Sequence, residues 1–172
     1  MRKDPELLIR AGVEADLPAV LEIYQHYVLN ALCTFEEVPP TLAELRSRRK
    51  AVLDLGLPYL VATLEGRLAG YAYAGSYRPR PAYRHTVEDS VYLAPDLLRR
   101  GIGRVLLGEL VAQCAAGGFR QMIAVIGDSA NAGSIRLHEQ LGFLPVGVLR
   151  DVGFKFGRWV DTVLMQRALQ PT

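Results

Sequence analysis

Apolar positions fall alternately at strand and helix spacing along the chain. Leu7 to Ala11 reads as a short first strand. Leu17, Val20, Leu21, Tyr24 and Val28 then recur at helical spacing, with Asp16 as candidate N-cap and Pro18 in the first turn, where a missing N–H is harmless. The stretch from Asn30 to Pro40 has no period, and Pro39-Pro40 blocks helix until Thr41-Leu42-Ala43-Glu44, a capping box that starts a second helix ending near Gly56. Pro58 to Leu64 and Arg67 to Gly75 form a hairpin around Glu65-Gly66. Ser76 to His85 reads as a loop or single turn, and Thr86 to Leu93 as a strand. Gly101 to Ala116 is a strong helix stopped by Gly117-Gly118. Phe119 to Ile126 is a strand and Asn131 to Leu141 a helix stopped by Gly142; strands over Leu144 to Val152 and Trp159 to Met165 close the chain. The order β-α-α-β-β-β-α-β-α-β-β predicts an α/β (α+β) domain, a mixed sheet flanked by helices. With no repeat or linker visible, one domain over 1–172 is expected.

Two places break the local rules. In Thr86–Leu93, Glu88, Ser90 and Tyr92 share one face while Val87, Asp89, Val91 and Leu93 share the other, so polar groups fall on both faces, which is poor material for a buried sheet centre. Such violations concentrate at functional sites. Just downstream, Arg99-Arg100-Gly101-Ile102-Gly103-Arg104 brings two glycines and three arginines to a helix start. The glycines let backbone approach a ligand, the first helical N–H groups have no partner, and a pyrophosphate there would collect several charge-assisted bonds. A lone GxG is also a common glycine-bounded helix start. No third glycine completes a dinucleotide fingerprint, and no Walker loop is present.

Composition narrows the classes. Half of the 172 residues are hydrophobic, 22% are charged, and the net charge is +2, too small for a dedicated nucleic-acid binder. The basic run Arg46, Arg48, Arg49, Lys50 reads as a solvated helix face. Cys33 and Cys114 are too far apart in sequence for a CxxC motif and give no disulfide framework or zinc site; Cys114 falls on an apolar helix stripe. No metal site is expected. The N-terminus lacks a signal-like apolar run and no stretch is long enough to span a membrane, so a cytoplasmic location with no membrane partner is expected.

Several motifs agree in order. Thr86-Val87-Glu88-Asp89-Ser90-Val91-Tyr92-Leu93, the Arg99–Gly103 loop, and Asn131-Ala132-Gly133-Ser134-Ile135-Arg136-Leu137-His138-Glu139-Gln140-Leu141-Gly142-Phe143 together resemble the GNAT acetyltransferase superfamily. Arg84–Glu88, Ala124–Gly127 and Val152–Trp159 bring the resemblance closest to the phosphinothricin and methionine-sulfoximine N-acetyltransferases. It runs from about Ile9 to Leu169. One departure is Leu98, where the superfamily usually has Gln or Arg three places before the first loop glycine. Backbone donors and Arg99 are left to hold the pyrophosphate.

The resemblance implies a GNAT-type, mostly antiparallel sheet and acetyl-CoA as co-substrate. It implies backbone pairing of Val91, Tyr92 and Leu93 with the pantetheine arm, pyrophosphate binding by Arg99, Arg100, Gly101, Ile102, Gly103 and Arg104, and cofactor contact by Asn131 and Ser134. Asn131 is also a sufficient helix N-cap. Glu88 is the candidate general base for an amine that must lose a proton before it attacks a thioester; the alternative is an ion pair with Arg80 or Arg84. His138 stands where many members carry a proton-donating Tyr, and is otherwise a packing or capping histidine. Phe35, Arg78, Arg80, Tyr83, Glu88, Asp89, Ser90 and Tyr92 are the candidate acceptor contacts, an arginine holding a carboxylate and aromatic rings walling a small side chain. Lys155 and Trp159 lie on a segment that in this family closes over a partner's site; otherwise they read as a strand-edge Lys and a core Trp. The expected partners are a small amino-acid-like amine and a second copy in a homodimer. The competing readings are a protein or peptide N-acetyltransferase and a non-catalytic acyl-CoA-binding module.

Overall fold

A computed structural model describes residues 6–170. In chain order the elements are β1 (Leu7–Ala11), α1 (Leu17–Asn30), α2 (Leu42–Asp54), β2 (Tyr59–Leu64), β3 (Arg67–Ser76), β4 (Thr86–Leu93), α3 (Ile102–Ala116), β5 (Gln121–Gly127), α4 (Ala132–Gln140), β6 (Leu144–Lys155) and β7 (Arg158–Ala168). The seven strands form one sheet in the order β1-β2-β3-β4-β5-β7-β6. Every neighbouring pair is antiparallel except β4–β5. The expected element order and the mostly antiparallel sheet are both present.

Burial explains the layering. Leu106, Leu107, Leu110 and Cys114 of α3 have no exposed surface, and α3 packs against β1–β4 on one face. Helices α1 and α2 cover the other face, with Val20, Ile23, Tyr24, Val28, Leu45 and Val52 buried there. The Thr41–Glu44 box caps α2 as its sequence predicts, Glu44 N–H donating to Thr41 Oγ1 at 3.2 Å and Thr41 N–H to Glu44 Oε2 at 2.6 Å. Each member of the basic run on α2 has a partner: Arg46 Glu14, Arg48 Glu36, Arg49 the Gly12 carbonyl, and Lys50 Asp54. Among the described residues no helix is long and apolar enough to cross a membrane.

Three local expectations are corrected. Asp16 does not cap α1. Its carboxylate closes a short 3-10 turn by accepting from Val13 N–H and is held by both terminal nitrogens of Arg10, at 2.7 Å each. The last hairpin is longer than its apolar pattern, because β6 and β7 stay paired to Lys155–Arg158 around a Phe156-Gly157 turn with both residues left-handed. Within it the alternative of a strand-edge Lys and a core Trp does not hold: Lys155 is 1% exposed and Trp159 is 65% exposed.

Candidate active site

The cavity exists because two parallel strands part company. Strands β4 and β5 pair only over Thr86–Glu88 against Gln121–Ile123. Beyond that point β4 follows β3 to Leu93 and β5 follows β7 to Gly127. The facing edges from Asp89 and Ala124 onward therefore carry backbone N–H and C=O groups without a strand partner. A cavity of about 920 Å³ fills the gap. It is walled by Glu88, Asp89, Ser90, Val91, Tyr92 and Leu93 on one side and by Ala124–Gly127 on the other.

The floor of the cavity is the start of α3. Arg99, Gly101, Gly103 and Arg104 line it. Arg99 and Gly101 both have positive φ, 61° and 79°, so the loop turns sharply into the helix. Arg104 and Val105 N–H bond the Gly101 carbonyl, while the N–H groups of Ile102 and Gly103 have no helical acceptor. A Cβ at Gly103 would lie 3.3 Å from the side chains of Leu137 and Leu93. Helix α4 supplies Asn131, Ser134 and His138. Asn131 accepts from Ser134 N–H at 3.2 Å, so it caps α4 and lines the cavity at once.

Electrostatics distinguish the two carboxylates of β4. Burial, then the neighbouring Asp89 charge, pushes the Glu88 carboxyl above its ordinary value, while Arg78 pulls it down. Asp89 points to the opposite face and meets His138: Nε2 lies 3.0 Å from Asp89 Oδ2, and both side chains are buried. His138 Nδ1 lies 2.7 Å from the Ser134 carbonyl oxygen. A carbonyl only accepts, so Nδ1 carries a hydrogen, and Nε2–H faces a carboxylate. Burial lowers the His138 pKa, but the bond to Asp89, its charge and the Ser134 carbonyl outweigh this and raise it. Asp89 Oδ1 is buried with no hydrogen-bond partner.

Not all expected residues gather here. Arg78, Arg80 and Tyr83 sit on the exposed β3–β4 connection outside the cavity lining. Arg78 stacks on Tyr77, 5.1 Å from the ring centre, and its charge reaches Glu88. Arg100 is exposed and outside the lining, and the Ile102 side chain is buried in the core. Other residues join without a sequence signal. Tyr27 lines the cavity and donates to the Leu93 carbonyl at 2.8 Å, and Thr34 and Cys33 come from the loop after α1. Burial pushes the Cys33 thiol up, which suppresses its reactivity. Among the described residues no cluster of His, Cys, Asp and Glu could hold a metal ion.

Comparison with known proteins bears on this geometry. Residues 9–164 match the model of the acetyltransferase (GNAT) domain. The chain is 57% identical to a phosphinothricin N-acetyltransferase of Alcaligenes faecalis over 94% of this chain and 82% of that one. The chain belongs to the GNAT acetyltransferase family. It is also 44% identical, over 94% of both chains, to an L-methionine sulfoximine/L-methionine sulfone acetyltransferase of Pseudomonas paraeruginosa. A crystal structure of a GNAT phosphinothricin acetyltransferase from Sinorhizobium meliloti in complex with acetyl-CoA superposes with a TM-score of 0.92 at 49% identity, covering 96% of this chain and 93% of that one. Acetyl-CoA, the acyl donor of GNAT enzymes, suits the site of this member. The unpaired β4 edge offers an amide partner for an extended arm, and the free N–H groups of α3 beside Arg99 and Arg104 suit a pyrophosphate. Gly103 lets the start of α3 lie close against Leu137 and Leu93 at the cavity wall.

Proposed function

We propose that this chain transfers an acetyl group from acetyl-CoA to the α-amine of a small amino-acid-like acceptor, of the phosphinothricin or methionine sulfoximine/sulfone type, by direct transfer with Glu88 as general base. The observation that carries this reading is the position of Glu88. It is the last β4 residue paired with β5, so its carboxylate stands at the apex where the strands separate and the cavity begins. The bound thioester supplies the activated acetyl group. Glu88, its pKa raised by burial, takes the proton from the acceptor's ammonium, directly or through one water. Backbone N–H groups of the unpaired β4 edge near Tyr92 polarise the carbonyl under attack. Arg78 is the cation assigned to the acceptor's carboxylate and Phe35 the wall for its side chain.

The same geometry argues against a covalent route. Ser134, His138 and Asp89 line up superficially like a hydrolase triad, with Ser134 Oγ 3.5 Å from His138 Nδ1. Nδ1 already donates to a carbonyl and so is not the base that Ser134 would need. Both imidazole nitrogens being engaged, His138 acts as an anchor between α4 and β4, and proton return to the departing thiolate falls to solvent. Incubation with acetyl-CoA without amine, followed by intact-mass analysis, tests this: an unmodified chain supports direct transfer, and an acetylated chain that discharges onto added amine overturns it.

The working form is a homodimer in the cytoplasm. Two observations support this: Val146, Val148, Val152, Phe154 and Trp159 are exposed apolar side chains on the β6–β7 hairpin, with β6 an unpaired edge strand, and both cysteines are free.

A further inference from the structure

The loop from Ala31 to Pro40 has no periodicity, yet it is fastened at both ends. On the helix side, Tyr24 Oη lies 3.0 Å from Thr34 Oγ1 and donates to Glu36 Oε1 at 2.9 Å, and Glu36 takes Arg48 at 2.6 Å. On the sheet side stands β6. Lys155, buried, donates through Nζ to the carbonyls of Ala31 at 2.7 Å and Thr34 at 2.8 Å. Two residues earlier, on the same face of β6, the ring of Phe35 lies directly on Gly153. A Cβ built there would sit 2.4, 2.6 and 2.8 Å from ring carbons Cε2, Cζ and Cδ2. Gly153 is not among the residues with positive φ, so its missing side chain concerns space and not backbone conformation. Thr34 and Phe35, the two loop residues so fixed, both line the cavity that holds Glu88.

We infer that Gly153 and Lys155 are specificity-determining positioning residues: from outside the cavity they set the depth of the acceptor pocket, Gly153 by seating the Phe35 ring and Lys155 by holding the Thr34 backbone. This rests on the reading that the acceptor's side chain packs against Phe35. The ring is 40% exposed, so it can retreat when pushed and the fold can survive. Restoring ordinary contact requires about 1 Å of movement, from 2.4 Å to 3.4 Å or more. Misfit of one methylene in an apolar pocket changes discrimination about tenfold or more.

Two readouts test the inference in Gly153→Ala, Phe35→Ala, the double variant and Lys155→Met. One is KM for methionine sulfone. The other is its Kd by calorimetry on protein saturated with coenzyme A, which needs no turnover. Gly153→Ala should raise both about tenfold, with acetyl-CoA affinity unchanged within twofold. In the Phe35→Ala background Gly153→Ala should have no further effect, and Lys155→Met should shift acceptor affinity in the same direction, thermal melts establishing that each variant is folded. An equal effect of Gly153→Ala with and without the Phe35 ring, unaltered acceptor affinity, or an equal loss of acetyl-CoA affinity would overturn the inference. Wild-type binding of methionine sulfone without thiol release would sink the transferase reading and leave this one standing. No binding by the wild type would remove both.

Discussion

Replacing His138 by Phe keeps a flat ring in its edge contact with Phe143, at 4.9 Å and 86°, and removes both N–H donors. Asp89 Oδ1 already lacks a partner, so the substitution leaves a buried carboxylate with neither oxygen bonded. Removing one partner of a buried ion pair costs about 3–5 kcal/mol. For a chain of this size each kcal/mol lowers Tm by about 2–4 °C, which gives a drop of roughly 6–20 °C. The pH dependence has a definite sign. The His138 pKa is raised on folding, so its stabilising contribution is full below the unfolded value and is lost as pH rises through the folded value. Wild-type Tm should therefore fall toward alkaline pH through a component that His138→Phe lacks. Adding Asp89→Val, which suits a strand and removes the orphaned charge, should recover most of the loss. Thermal melts across a pH series of the wild type and three variants measure all of this. A drop below about 3 °C in the single variant, or a double variant no better than the single, would refute a charged anchoring pair.

Glu88→Gln should slow acetyl transfer about 10²–10⁴-fold near neutral pH. It should not lower Tm there, since a raised carboxyl pKa destabilises the ionised form and the amide removes that cost; the acid limb of the wild-type rate profile should lie above the ordinary carboxylate value. Kinetics and melts on one preparation check both, and unchanged turnover would remove Glu88 from the role. Gly103→Val places branched carbon against Leu137 and Leu93 at the cofactor wall and should weaken acetyl-CoA binding with little change in KM for the acceptor, measured by titration and kinetics. Phe154→Ser with Trp159→Ser should convert a dimer to monomer in light scattering; a wild type already monomeric would refute the hairpin as its interface.

How much could be read from the sequence depended on whether the cause was local. Elements carried by periodicity and caps, such as the Thr41 box or the α3 stripe, were legible because each depends on a few neighbouring residues. The parting of β4 and β5 left a trace as polar residues on both faces of Thr86–Leu93, which drew attention to Glu88 and Asp89. Residue type alone does not fix position: Arg80, Arg100 and Tyr83 project from exposed turns outside the cavity lining. The bond between Lys155 and the carbonyls of Ala31 and Thr34 spans over a hundred residues, so no pattern announces it, nor that Lys155 is buried while Trp159 is exposed. The seat of Phe35 on Gly153 and the cavity-lining edge Ala124–Gly127 are likewise products of tertiary packing.

The most direct measurement is free-thiol release from acetyl-CoA by the purified chain, with phosphinothricin, methionine sulfoximine, methionine sulfone and a peptide bearing a free N-terminus offered separately. Release with one or more of the three amino acids, with one N-acetylated product per thiol, is the expected result. Acetyl-CoA binding without release on any amine, or release with the peptide alone, would contradict it.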